Sequence, residues 1–263
     1  MVFDGVPLGI MVGTATVFGA VFGSFLNVCI LRWGAEPKQS VVRPPSRCPR
    51  CGHSLSWYEN VPVLSWLALR GRCRGCGLPI SIQYPLIELT VAVIWGGMVW
   101  WFGPGLAAVA GAVFFTILLG IAVTDARAYL IPDEFSLGGL VVGLVLAALA
   151  GWSQFLVAAL GAAVGFGLLW LVAMGGSWLF KKEAMGGGDI KMMAMVGAFT
   201  GWTGVLLTIF LGSLLGSLIF VPLALVGKKK LVPFGVFLAV GAAATYLWGP
   251  AIVRWYMSYT MGL

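Results

Sequence analysis

The chain has 263 residues, 60% of them hydrophobic and only 10% charged, with a mean hydropathy of +0.99. Ordinary soluble domains carry about 25% charged residues, so a water-soluble globule is excluded. The formal net charge of +7 must then be explained by where a few ionisable residues stand along a membrane protein.

About 20 helical residues cross a ~30 Å hydrocarbon core, so an uncharged run of that order reads as a membrane span. Five such runs occur, at 8–31, 89–124, 135–180, 192–227 and 231–253. The first follows Asp4 and ends at Arg32, with no Lys or Arg before it. That is the reverse of the charge order of a secretory signal peptide, so the run is read as a span. The three middle runs, of 36, 46 and 36 residues, are each long enough for two passes. Each is also interrupted near its middle, by Gly103-Pro104-Gly105, Gly151-Trp152-Ser153 and Gly201-Trp202-Thr203-Gly204. The expected fold is therefore an all-α polytopic membrane protein of eight transmembrane helices.

Lys and Arg accumulate in cytoplasmic loops. With the N-terminus outside and eight spans, fifteen of the sixteen basic residues are cytoplasmic, Lys228 to Lys230 among them, and only Arg254 is outside. The net charge is thus topological, and no nucleic-acid partner is needed to account for it.

Between the first two spans, residues 32–84 differ from everything around them. They are rich in Arg and Pro and contain four of the five cysteines and the only histidine. A segment this small makes little core unaided and needs a staple. The expected division is a first helix at 1–31, a cytoplasmic metal-binding insert at 32–84, and a seven-helix membrane domain at 85–263.

The staple is legible in Cys48-Pro49-Arg50-Cys51 and Cys73-Arg74-Gly75-Cys76, two C-x-x-C pairs separated by 21 residues. Two residues between thiolates let a tight turn aim both sulfurs at one ion, and Gly52 and Gly77 follow each second cysteine. Four sulfurs at ~2.3 Å make a closed tetrahedral, structural Zn2+ site of the zinc-ribbon kind. Disulfides or a redox pair are the alternative; a cytoplasmic loop disfavours stable disulfides. His53 reads as a surface residue and Cys29, inside the first span, as a packing residue. Ser24 and Asn27, three apart on one face of that span, read as hydrogen-bonding groups toward a neighbouring helix. Glu88 reads as a first-turn acid of the second span favoured by the helix dipole, with a substrate contact as the alternative.

Ionisable groups near hydrocarbon are expensive, which makes each a functional candidate. Residues 125–134 and 175–191 hold five of the nine acids, Glu183 among them. Asp125 directly follows Thr124 at the end of the third span, and Asp189 closes Gly186-Gly187-Gly188 at the start of the sixth. Eight spans put both carboxylates at the same cytoplasmic edge. Two carboxylates converging on one water share a proton, one serving as base and the other as acid in aspartyl-protease chemistry. Glycines beside them would let an extended peptide approach the backbone closely. The alternatives are that Asp189 caps a helix and Asp125 pairs with Arg127. Asp133 and Glu134, after Pro132, read as helix-start residues, and Lys191 as an ordinary cytoplasmic cation.

Taken together, these residues resemble the type IV prepilin peptidases, bifunctional leader peptidases and N-methyltransferases with a G-x-G-D signature. The resemblance runs through Gly23-Ser-Phe-Leu-Asn27, Arg47-Cys-Pro-Arg-Cys51, Trp57 to Trp66, Leu69-Arg-Gly-Arg-Cys73 with Cys76, and Tyr84-Pro-Leu-Ile-Glu88. It continues in Asp125 to Asp133, Met185-Gly-Gly-Gly-Asp-Ile-Lys191 and Pro233-Phe-Gly-Val-Phe-Leu238. It implies that Asp125 and Asp189 are catalytic and that Cys48, Cys51, Cys73 and Cys76 bind zinc. It further implies cleavage of a basic leader from prepilins or pseudopilins after a glycine, in the bacterial inner membrane. Methylation of the new N-terminus with S-adenosylmethionine would follow. No G-x-G-x-x-G nucleotide loop occurs, so the methyl-transfer half rests on resemblance, with the insert its natural seat. A transporter would place its acids nearer the midplane. A non-enzymatic assembly platform leaves the Gly-Gly-Gly-Asp sequence without a purpose.

Overall fold

The computed structural model of the chain describes residues 5–182, 185–225 and 233–261. Asp4, Glu183 and Lys228 to Lys230, which entered the charge argument, lie outside the described residues. The helices are α1 (Leu8–Trp33), α2 (Leu64–Ala68), α3 (Gln83–Phe102), α4 (Leu106–Ala128), α5 (Asp133–Ala150), α6 (Trp152–Phe180), α7 (Gly187–Leu225) and α8 (Phe234–Met261). A 3-10 turn at Trp57–Asn60 precedes α2. Among the described residues there is no strand, only two isolated antiparallel bridges in the insert. Hydrocarbon offers the backbone no hydrogen bonds, so apolar runs satisfy their own amides as helices. Seven of the helices, α1 and α3 to α8, are long and apolar enough to cross a membrane.

The glycine breakers act where expected, in two ways. Gly103 at φ 72° ends α3, and Gly151 at φ 136° separates α5 from α6. Both are left-handed conformations that favour glycine. The third breaker makes no loop: α7 runs for 39 residues with Gly201 alone non-helical, at φ 70° and ψ 179°. The expected interruption between the sixth and seventh spans is a kink at one residue.

The chain forms two compact units, Met1–Thr116 and Ile117–Leu263. In the first, α1 lies directly on α3. A Cβ on Gly19 would come 2.7 Å from the Val91 carbonyl oxygen, and one on Gly23 would come 2.7 Å from Glu88 Cα. This small-xxx-small contact brings two backbones together without a hydrophobic driving force between them. Phe22 stacks on Trp95 at 4.5 Å, and the Trp95 indole donates to Thr116 Oγ1 at 3.0 Å.

In the second unit, α7 is the central helix and packs against α5, α6 and α8. Every residue from 192 to 198 is buried. A helix apolar all round has neighbours all round. Gly161 and Gly197 meet backbone to backbone between α6 and α7, Gly139 and Gly143 of α5 receive Met195 and Phe199, and Gly212 of α7 receives Leu238 of α8. This packing holds the first turn of α7, and with it Asp189, among its neighbours.

Candidate functional site

Asp125 stands in the last turn of α4 and is 6% exposed. Its carboxylate accepts hydrogen bonds from the backbone amides of Val236, at 3.1 Å to Oδ2, and Gly235. These belong to the first turn of α8, where N–H groups have no partner within the helix and the dipole favours an anion. The approach is close enough to require glycine: a Cβ on Gly235 would lie 2.9 Å from Asp125 Oδ2 and 2.8 Å from Ile131 Cδ1.

Asp189 is the third residue of α7, half-buried and within electrostatic reach of Asp125. Ile131 ties the two positions together sterically. It is buried, and it packs on Gly235 beside Asp125 and on Gly188 beside Asp189, where a Cβ would lie 2.9 Å from Ile131 Cβ. The glycine run therefore divides its work. Gly188 is required by packing, whereas a Cβ on Gly187 would meet nothing within 4 Å.

One turn further, Lys191 Nζ bonds both oxygens of Asp133 at 2.8 and 2.9 Å, joining the starts of α7 and α5. Asp133 and Glu134 do lie in the first turn of α5, where they supply negative charge, and the N-cap position itself is Pro132, which has no capping side chain. The reading of Lys191 as an ordinary cytoplasmic cation did not foresee this pair. At 37% and 47% side-chain exposure it contributes at most about 1 kcal/mol.

In the first unit, the sulfurs of Cys48, Cys51, Cys73 and Cys76 all lie within 4.8 Å of one another. Cys51 and Cys73 Sγ are 3.9 Å apart, too far for a disulfide, and all five cysteines are free. Four sulfurs at ~2.3 Å from one ion in a tetrahedron stand about 3.8 Å apart, so the group can hold a metal ion. Each pair is built identically. Cys48 N donates to His53 O, Gly52 N to Cys48 O and Leu55 N to Ser46 O; 25 residues on, Cys73 N donates to Leu78 O, Gly77 N to Cys73 O and Ile80 N to Gly71 O. The bridges Arg47–Ser54 and Arg72–Pro79 obey the same offset. Gly52 and Gly77 share a left-handed φ of 73° and 69°. The amides of Cys51 and Arg50 pull the Cys48 thiol down to about 6, toward the thiolate a metal needs.

His53, expected at the surface, is partly exposed and has a partner. Its Nε2 lies 3.2 Å from Glu59 Oε2, and Glu59, buried, also accepts from Ser56 N at 2.8 Å. Those contacts, the Ser56 amide first and then His53, hold the Glu59 carboxyl below the usual glutamate range.

Glu88 departs from its expected position. α3 begins at Gln83, so Glu88 is in the second turn and 7% exposed, with Val63 N donating to its Oε2 at 2.7 Å and Ser24 hydrogen-bonded to it. Asn27 is 1% exposed and its Nδ2 donates to Tyr84 O at 3.1 Å, as the reading of an interhelical hydrogen bond anticipated.

Comparison with known proteins matches residues 17–102 to the bacterial peptidase A24 N-terminal domain and residues 112–221 to the type IV leader peptidase family. The chain is 36% identical over 267 residues to a protein of Aeromonas hydrophila named prepilin leader peptidase/N-methyltransferase, covering 92% of each. It is 37% identical to a protein of that name from Pseudomonas putida, covering 90% of this chain and 91% of the relative. A Myxococcus xanthus protein, also so named, is 43% identical over 203 residues, 77% of this chain and 60% of the relative. No solved structure matches the chain.

Proposed function

The chain belongs to the type IV leader peptidase family, and from that premise we propose a bifunctional membrane enzyme acting on type IV prepilins or pseudopilins. It cleaves the basic leader after a glycine, with Asp125 and Asp189 as the catalytic pair, and then methylates the new N-terminal residue. The observation that carries the peptidase reading is the contact chain from Asp125 through Gly235 and Ile131 to Gly188, next to Asp189.

A water between the carboxylates gives its proton to the ionised one as its oxygen attacks the scissile carbonyl carbon. The protonated one meanwhile donates to the carbonyl oxygen. Collapse breaks the C–N bond, whose electron pair stays on nitrogen, and the leaving amine takes up the proton removed from water. The amides of Gly235 and Val236 hold Asp125 in one orientation throughout. Mass spectrometry of leader release from a prepilin by the detergent-purified protein tests this reading. Asp125→Asn and Asp189→Asn should each remove nearly all cleavage, and full activity of either overturns the pairing.

The four-cysteine group is read as a structural Zn2+ site: Cys48, Cys51, Cys73 and Cys76 would fill all four positions and leave none for a substrate. When bound, zinc cross-links the two halves of the insert. S-adenosylmethionine is read as the methyl donor.

Eight passes with the N-terminus outside remain the preferred topology in a bacterial inner membrane, with both aspartates toward the cytoplasm. A 39-residue helix is about 58 Å long, roughly twice a ~30 Å hydrocarbon core, and Gly201 divides it. That supports counting α7 as two passes.

A further inference from the structure

We propose that the cavity of the first unit is a receptor for a primary α-ammonium, held by Glu88, Asn27 and Ser24. The inference rests on the methyl-transfer half of the functional reading, for which no binding site has yet been assigned.

The cavity has a volume of about 1080 Å³ and is lined by Ser24 and Asn27 of α1, Tyr84 and Glu88 of α3, and residues of the cysteine-bearing insert. That is the size of a small-molecule site. Three features of its wall call for a cationic donor.

Asn27 Oδ1 is buried and has no hydrogen-bond partner among the described residues. The amide cannot be turned round to relieve this. Its Nδ2 donates to Tyr84 O at 3.1 Å and Gly23 O at 3.3 Å, and a flipped amide would set oxygen against two carbonyl oxygens. Glu88 is buried too, with Val63 N and the Ser24 hydroxyl on its carboxylate and no basic side chain within ion-pair distance of it among the described residues. Val63, a β-branched residue, delivers that N–H from a left-handed conformation at φ 62° and ψ −50°. Such strain persists where the surroundings enforce it and concentrates at ligand sites.

The shape of the acceptor set selects the ligand. A primary ammonium has three donors, and three residues of the cavity lining, Ser24, Asn27 and Glu88, each carry a side-chain oxygen, one of them charged. A divalent cation would need six or more oxygens. A guanidinium fork would need both carboxylate oxygens in one plane, and Glu88 Oε2 is already engaged by Val63. Two of the five arginines in the cavity lining are engaged elsewhere: Arg32 donates to the carbonyls of Ser40 and Pro44, and Arg74 to the Tyr58 hydroxyl.

Two molecules in the proposed reaction carry a primary α-ammonium: the N-terminus freed by cleavage, and the amino-acid end of the methyl donor. Calorimetry on the full-length protein in detergent separates them. One arm compares a peptide beginning with phenylalanine, free or acetylated at its amine. The other compares S-adenosylhomocysteine with its des-amino analogue. In wild type, one ammonium probe should bind at least about tenfold tighter than its blocked counterpart, and the arm in which this occurs identifies the source. Glu88→Gln and Asn27→Leu should each collapse that ratio toward one.

Equal binding within both pairs by the wild type overturns the proposal without any variant being needed. So does retention of the full ratio by either folded variant. Gain of ~14 mass units by the cleaved product when S-adenosylmethionine is added, followed on the same wild-type preparation, reports on the methyl-transfer reading separately: its absence would overturn that reading and leave the ammonium result standing.

Discussion

Gly235→Ala is the sharpest test of how Asp125 is held. The added methyl would sit 2.9 Å from Asp125 Oδ2, 3.2 Å from Asp125 Cγ and 2.8 Å from Ile131 Cδ1, with ordinary contact beginning near 3.4 Å. Relief requires a shift of about half an ångström by the start of α8, the carboxylate or Ile131. The first two stretch the 3.1 Å bond from Val236 N, and a turn of Ile131 alone leaves the contact with Asp125 Oδ2 in place. A misplacement of ~1 Å can cost about 10²-fold in rate, so a loss of about ten- to a hundredfold in kcat for leader cleavage is expected. That corresponds to roughly 1.4–2.7 kcal/mol of barrier. KM should change little, because the shift is at the reacting carboxylate. Overpacking should also lower stability by about 1–3 kcal/mol, readable as a reduced melting temperature in detergent. The control is Gly216→Ala, whose methyl would meet the Phe237 ring at 3.7 and 3.8 Å, an ordinary contact. It should cleave like wild type. A Gly235→Ala enzyme with wild-type kcat refutes the idea that the end of α8 seats Asp125.

Three further outcomes are expected. Gly197→Ala drives a methyl into the Gly161 carbonyl on the facing backbone, which cannot rotate away. It should lower the melting temperature more than Gly235→Ala does, and an unchanged melting curve refutes the close crossing of α6 and α7. Metal analysis of purified protein should find one zinc per chain, lost in Cys48→Ser and in Cys76→Ser alike because the two halves form one site; a variant that keeps stoichiometric metal refutes it. Glu59, held below its ordinary value of 4.5, adds stability above that pH, and this is lost as pH falls through its lowered value. The melting-temperature gap between wild type and Glu59→Gln should therefore be present at pH 7 and close in acid; a gap independent of pH sinks the assignment.

Much of this was legible in the residues. Charge-free runs mark the long helices because hydrocarbon permits little else, and Gly103 and Gly151 announce their breaks by type. The cysteine pairs announce themselves by spacing. The 25-residue repeat shows in the sequence only as Arg-Cys-x-x-Cys-Gly at 47–52 and 72–77; past it His53 and Ser54 are exchanged for Leu78 and Pro79, so its full extent is hidden. What repeats is backbone hydrogen bonding, which any side chain can accompany. Glu88 was misplaced because the expected insert runs to residue 84, whereas α3 already begins at Gln83 and so carries Glu88 into its second turn. The role of Ile131 could not be read at all. It stands 104 residues before Gly235, and apolar residues reveal their partners only through tertiary contact.

The kink at Gly201 leaves fourteen helical residues, 187–200, before it. At ~1.5 Å per residue they reach about 21 Å, some 9 Å short of a ~30 Å hydrocarbon core. A half-helix of that length cannot touch both interfaces, and with residues 192–198 enclosed by α5, α6 and α8 its surroundings are protein rather than lipid. Where its kinked end reaches the far leaflet, its other end, with Asp189, is recessed beneath the headgroups. On the proposed two-pass reading, water then comes to Asp189 through a recess walled by protein rather than straight from the membrane surface.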